Sequence, residues 1–158
     1  MKKFQVSSLL SLVFIVVVSG ASLSKQTSDK CKIKILFTGV KEKKGQLRSA
    51  LFNDSKGFPE DQSKAIKMKS MKTESFSDEE IKKGIIVEYD NLDAGVYAIG
   101  SLWDKNSNNK LDKNFLGFPK EPYGVSKNIR AKMSPPKFKD ACFEIKPGET
   151  INMSIELR

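Results

Sequence analysis

The sequence predicts an all-β protein: a single antiparallel β-sandwich of about seven strands, immunoglobulin-like or transthyretin-like, with one long irregular loop region. Three observations predict it. Short runs with period-two alternation recur along the chain, Gly, Pro, Asn and Asp punctuate them at regular spacing, and a single stretch carries a helix-start signal.

The first strand alternates Ile33, Ile35 and Phe37 with Lys32, Lys34 and Leu36. Residues 40–45 form a charged turn, and 47–53 a second strand that ends in Asn53-Asp54-Ser55-Lys56-Gly57, with Phe58-Pro59 opening a loop. In 65–71, Ile66 and Met68 alternate with lysines, the pattern of an edge strand guarded by charge. Ser77 followed by Glu80 is a capping-box signature, but Gly84 stops the run, so one helical turn is expected there at most. Residues 85–89 and 96–103 are the most strongly patterned strands, joined by a hairpin-type turn at Asp93-Ala94-Gly95. An irregular stretch then runs to Pro136. A last hairpin is expected between 142–145 and 150–157, across Lys146-Pro147-Gly148-Glu149, with Ile151, Met153, Ile155 and Leu157 turned inward.

The N-terminus reads as an export signal over residues 1–21. Lys2 and Lys3 precede an apolar run at 9–18, followed by the small residues Ser19-Gly20-Ala21-Ser22. That run is short for a membrane span, so the processed chain is expected not to be an integral membrane protein. Cleavage after Gly20 or Ala21 would leave a polar leader, 22–30, and one domain, 31–158, in the periplasm, outside the cell or in its envelope. About 137 residues then remain, enough to bury a core as a monomer. The formal charge falls from +9 to about +7, because the signal holds two of the 28 basic residues and no acidic one. Almost all the remaining cations are Lys, without the clustered Arg and interleaved aromatics of nucleic-acid readers, so no nucleic-acid partner is expected. An envelope protein or glycan is the expected class of partner. The two cysteines, Cys31 and Cys142, are an even count in an exported chain and predict a disulfide, which would stabilise the fold by about 4 kcal/mol.

One loop carries chemistry. Asp104, Asn106 and Asn108 place side-chain oxygens at alternate positions, with the Lys110 carbonyl and Asp112 next in line, the order a hard cation such as Ca²⁺ needs. Asn109 stands where such loops want Gly, and Phe115 stands where they want a bidentate Glu. Glu121 could supply a carboxylate only by folding back. An affinity of about 10⁻⁴ to 10⁻³ M is therefore expected for Ca²⁺, and the competing reading is an Asx-rich turn bonded to its own backbone. No cofactor is required. Trp103, Phe118 and Tyr123 are candidates for an aromatic interaction patch beside the loop. The chain has no His, no nucleophile elbow and no phosphate-binding glycine loop, so it is not expected to be an enzyme; a glycosidase-like pair, Asp104 with Glu121, is the remote alternative.

Four stretches together resemble one family. They are Leu92-Asp93-Ala94-Gly95-Val96-Tyr97-Ala98, the loop from Trp103 through Asp112, Gly117-Phe118-Pro119-Lys120-Glu121-Pro122-Tyr123-Gly124-Val125-Ser126, and Pro135-Pro136-Lys137-Phe138-Lys139-Asp140-Ala141. In this order they resemble the uncharacterised bacterial exported family called domain of unknown function 2141. The resemblance implies a small exported β-sandwich, similar to transthyretin-like and carboxypeptidase-regulatory-like domains, and no established activity. Trp103, Asn109 and Pro122 depart from its pattern, where it has a frequent His and two Gly residues.

Overall fold

A computed structural model describes residues 29–130 and 134–158. The expected export signal and most of the expected polar leader lie outside the described residues. Eight strands form: β1 (Cys31–Thr38), β2 (Gln46–Phe52), β3 (Lys67–Lys72), β4 (Ile85–Leu92), β5 (Gly95–Asp104), β6 (Tyr123–Val125), β7 (Phe143–Ile145) and β8 (Thr150–Glu156). They make a three-stranded sheet in the order β4-β1-β8 and a five-stranded sheet in the order β3-β2-β5-β6, with β7 also paired to β5. The all-β sandwich is as the alternation predicts. Every pair is antiparallel except β1 with β8, which run parallel.

Alternation sets which face each strand buries. Ile33, Ile35 and Phe37 of β1, Val87 and Tyr89 of β4, and Ile155 of β8 meet Leu47 and Leu51 of β2 and Tyr97, Ile99 and Trp103 of β5 in one core. At about 25 cal/mol per Å² of apolar surface, these inner faces are the main favourable term holding the sheets together. β3 lies at the sheet edge, as its sequence predicts, but Ile66 and Met68 are exposed, while Lys69 reaches over the Tyr89 ring on the side facing the other sheet. A second, smaller cluster of Ala98, Val125 and Ala141 sits on the outer face of the five-stranded sheet, joined by Phe58, Ile129, Phe138 and Cys142. Gly100 permits this second layer: a Cβ there would stand 2.7 Å from the Pro59 carbonyl oxygen, so the loop after β2 lies directly on β5.

The chain differs from the sequence reading in its connections. β4 and β5 belong to different sheets, so Asp93-Ala94-Gly95 is a corner between sheets, and the Tyr97 hydroxyl locks it by donating to the Asp93 carbonyl at 2.8 Å. The expected last hairpin is also absent: β7 joins β5 while β8 crosses to lie beside β1. Alternation reports which face a strand buries and is silent about its neighbour. The capping box at Ser77 forms as predicted, and α1 (Asp78–Lys83) runs six residues before Gly84 ends it. A further short helix, α2 (Phe138–Ala141), carries no cap bond from a side chain and went unpredicted.

The predicted disulfide is overturned. Cys31 and Cys142 are both free thiols. Cys31 packs in the inter-sheet core and donates to the Lys146 carbonyl at 3.1 Å, whereas Cys142 packs against the outer cluster. Tyr97 and Ile99 face the first cluster and Ala98 the second, so the five-stranded sheet separates the two sulfurs. An even cysteine count carried no information about which face each thiol would take.

Candidate functional site: the loop face beyond strand β5

β5 delivers Asp104 to the end of the sheet, opposite Gln46 of β2 and with no exposed surface. Gly45, with φ +73°, makes this approach fit, since a Cβ there would lie 2.1 Å from the Asp104 carbonyl oxygen. The loop that follows is closed at its base by the Trp103 N–H, which donates to the Pro122 carbonyl at 2.8 Å.

Asp104 organises the turn. Its Oδ1 accepts from the Asn108 N–H at 3.1 Å; its Oδ2 accepts from the Asn109 N–H at 2.8 Å and from Gln46 Nε2 at 2.7 Å. Asn106 Oδ1 accepts from the same Asn108 N–H at 3.1 Å, and Asn108 Oδ1 from the Lys110 N–H at 3.0 Å. These are Asx-turn bonds, the local competition with sheet pairing that short polar side chains favour. The Asn106 and Asn108 amides then donate to the two oxygens of Asp112 at 2.7 and 2.9 Å. Those bonds, the Asn108 contact first, hold the Asp112 carboxyl below its ordinary pKa, helped by the charges of Lys110 and Lys120. Glu121 does fold back: it accepts from the Lys105 N–H at 2.8 Å and from the Asp112 N–H at 3.1 Å. Asn109 takes the positive φ that Gly usually supplies, at +70°.

The structure therefore brings Asp104, Asn106, Asn108, Asp112 and Glu121 around one turn, with Lys110 entering through its N–H. All four oxygens of Asp104 and Glu121 accept from N–H donors. Among the described residues, no group of three or more His, Cys, Asp and Glu side chains gathers as a metal cluster.

Two contributors escaped the sequence reading. Arg48, only 6% exposed, extends from β2 beneath the loop and donates through Nε to Gln62 Oε1 at 2.9 Å and through Nη1 to Asn109 Oδ1. Gln46 Nε2 bridges Asp104 to the same Asn109 oxygen, so the buried Arg48 and Asp104 are joined in one polar network through the exposed Asn109. The available signal was an Arg inside an apolar strand, Leu47-Arg48-Ser49-Ala50-Leu51. The second contributor is the tip of the loop, where Phe115 and Leu116 are 95% and 65% exposed.

The aromatic candidates separate. Trp103 is 1% exposed, in the inter-sheet core, with its Nε1–H donating to the Lys44 carbonyl at 2.7 Å and Lys105 Nζ 4.3 Å from its ring centroid. It holds the loop from below and is not part of a surface patch. Phe118 and Tyr123 do share a groove of about 210 Å³ on the outer face of the five-stranded sheet. Leu102 and Val125 belong to its sheet side, Leu116 and Pro119 come from the loop, and Pro135 and Pro136 from the far bank; Glu60, Gln62 and Ser101 supply polar groups.

The fold and this face define a β-sandwich with a structured loop surface beside an apolar groove. The profile of a family described as "uncharacterized protein conserved in bacteria (DUF2141)" matches residues 35–152, and the chain belongs to that family. No curated protein and no solved structure matches the chain.

Proposed function

We propose that this protein is an exported binding module of the bacterial envelope, and that the loop face spanning 104–126 is its recognition surface. The groove carries this reading. At about 210 Å³ it is smaller than the ~300–1,000 Å³ of a site that encloses a whole small molecule, so it suits part of a larger partner. Its one acidic lining residue, Glu60, is paired with Lys113 at 2.6 Å, and in the adjoining loop both Asp104 and Glu121 accept from backbone amides. A module that binds without turnover is the function these groups support.

A weak Ca²⁺ position in the same turn is the second reading. It is favoured by the convergence of Asp104 Oδ1 and Asn106 Oδ1 on one N–H, with both Asp112 oxygens drawn to the neighbouring amides. Two carboxylates and no bidentate ligand set its affinity in the weak extracellular range, about 10⁻⁴ to 10⁻³ M.

The test is capture of envelope components from detergent extract by the wild type and by Phe118→Ser with Tyr123→Ala, with and without chelator. Loss of capture in the double variant, with unchanged thermal stability, is the expected result. Equal capture by both proteins would refute the loop face. Calorimetric titration with Ca²⁺ on wild type and Asp112→Asn decides the cation: no heat and no melting shift at millimolar Ca²⁺ removes it.

A further inference from the structure

We propose that the tip of this loop face, residues 113–120, inserts into an anionic lipid surface; the inference rests on the loop face being the binding surface and names its partner.

Phe115, Leu116 and Phe118 are 95%, 65% and 57% exposed, three large apolar side chains within four residues. Isolated apolar side chains on a surface are ordinary, but a contiguous set on a projecting turn marks a contact. The turn does project: a Cβ added at Gly117 would meet nothing within 4 Å.

The tip is also internally bonded. Asn114 Oδ1 accepts from the Leu116 and Phe118 N–H groups, both at 3.0 Å, and the Asn114 carbonyl accepts from Gly117 N–H at 2.9 Å. Asn114 N–H donates to the Phe118 carbonyl at 2.8 Å, Lys113 and Pro119 form a β-bridge, and Lys120 N–H donates to the Asp112 carbonyl at 2.8 Å. Backbone that enters a lipid interface does so more cheaply with its hydrogen bonds made, because water is scarce there, and the Asn114, Leu116, Gly117 and Phe118 N–H groups of this turn are so bonded.

The charges around the apolar tip fit a membrane better than a protein. Lys110, Lys113 and Lys120 flank it, with Lys137 on the facing bank. Lys113 is paired with Glu60, but among the described residues neither Lys110 nor Lys120 has a carboxylate within ion-pair distance. Protein interfaces favour Arg and deplete Lys, and they want about 800 Å² from each side. Lys around a small aromatic and aliphatic point is instead the composition of an interfacial lipid anchor, in which ammonium groups meet phosphate while Phe and Leu enter the acyl boundary.

The test is co-sedimentation of the processed, purified protein with vesicles of phosphatidylcholine mixed with phosphatidylglycerol, against phosphatidylcholine alone. Wild type is expected to bind the anionic vesicles. Phe115→Ser with Leu116→Ser and Phe118→Ser should weaken that binding on the order of 10- to 100-fold at unchanged melting temperature. Lys110→Gln with Lys120→Gln should cost on the order of fivefold per residue, an effect that added salt erases. In Phe115→Trp, emission at the new indole should shift to the blue on the anionic vesicles. Absence of wild-type binding at low salt overturns the inference. So does equal binding by the triple Ser variant, which would mean surface adsorption by charge alone. Concentration-dependent self-association that the triple variant abolishes, without vesicle binding, would assign the tip to a second copy of the chain and likewise overturn it. If vesicle binding fails while capture from detergent extract still depends on Phe118 and Tyr123, the membrane partner falls and the loop face stands. If both fail, both readings fall.

Discussion

Replacing Asp104 should release the loop from the sandwich while leaving the core intact. Its carboxylate is fully buried and accepts three hydrogen bonds, two from the backbone at Asn108 and Asn109 and one from Gln46. Asp104→Ala removes an acceptor from all three and strands the Asn109 N–H, while the Asn108 N–H keeps Asn106 Oδ1 and Gln46 Nε2 keeps Asn109 Oδ1. A buried donor without a partner costs about 1–3 kcal/mol, and these sites are only partly buried, so water recovers some of that cost. The lower end for the stranded Asn109 N–H, with about 1 kcal/mol for each of the two other lost bonds to the carboxylate, gives a destabilisation of about 3 kcal/mol. With a urea dependence of about 1.5–2 kcal/mol per M, the unfolding midpoint should fall by roughly 1.5–2 M at unchanged slope. The amide protons of Asn108 and Asn109 should lose exchange protection while those of β1 and β8 stay slow relative to the new global stability. Asp104→Asn should fall between wild type and Ala, since one oxygen remains to accept. A destabilisation below about 1 kcal/mol, with Asn108 and Asn109 still protected, would refute the idea that this carboxylate organises the turn.

Three further outcomes follow from the geometry. Burial raises the Tyr89 hydroxyl to about 12, only partly offset by its bond to Ser49; the folded pKa lies above the unfolded value of about 10, so the associated stability is whole below pH ~10 and is lost as pH rises through 12, and absorbance titration should show one of the three tyrosines ionising last, together with unfolding. Gly100→Ala sets a methyl 2.7 Å from the Pro59 carbonyl oxygen, so the loop after β2 must lift; about 1–3 kcal/mol of destabilisation in a denaturant titration is expected, and wild-type stability would contradict the close approach. Thiol titration should find two free sulfhydryls in denaturant and, in the native protein, Cys142 reacting far ahead of buried Cys31; a mass two hydrogens light with no reactive thiol would restore the disulfide.

Much of the architecture was legible in the sequence because strand patterning is local. Ile33-Phe37 and Ile151-Leu157 alternate as the structure does, and Ser77 with Glu80 caps the helix as the residues predict. Partnership was not legible, because nothing in 142–157 distinguishes a hairpin from a strand that crosses to lie parallel to β1. The three-residue strand β6 escaped notice for a related reason: Tyr123-Gly124-Val125 is too short to show a period. At the loop, the alternating Asp and Asn residues left a cation site and an Asx-rich turn as competing readings, and the structure shows their side-chain oxygens accepting from the turn's own backbone N–H groups. Their spacing could not reveal that Glu121 would return to cap the Lys105 and Asp112 amides, or that Arg48 would reach Asn109 from beneath. Those contacts join residues separated by 9 to 61 positions and exist only once the sheet has formed. Trp103 was misplaced because aromatic residues near a loop look alike in sequence, whether they face the core or the solvent.

The most direct test of the central claim places a photo-crosslinking amino acid at Phe118, at Tyr123 or, on the three-stranded sheet, at Ile86, in cells that make the protein. Ile86 is 54% exposed, close to the 57% of Phe118, so exposure alone does not favour either position. If the loop face is the recognition surface, irradiation should give discrete adducts from positions 118 and 123 and none from 86. Adducts from Ile86 with none from the loop face would contradict it.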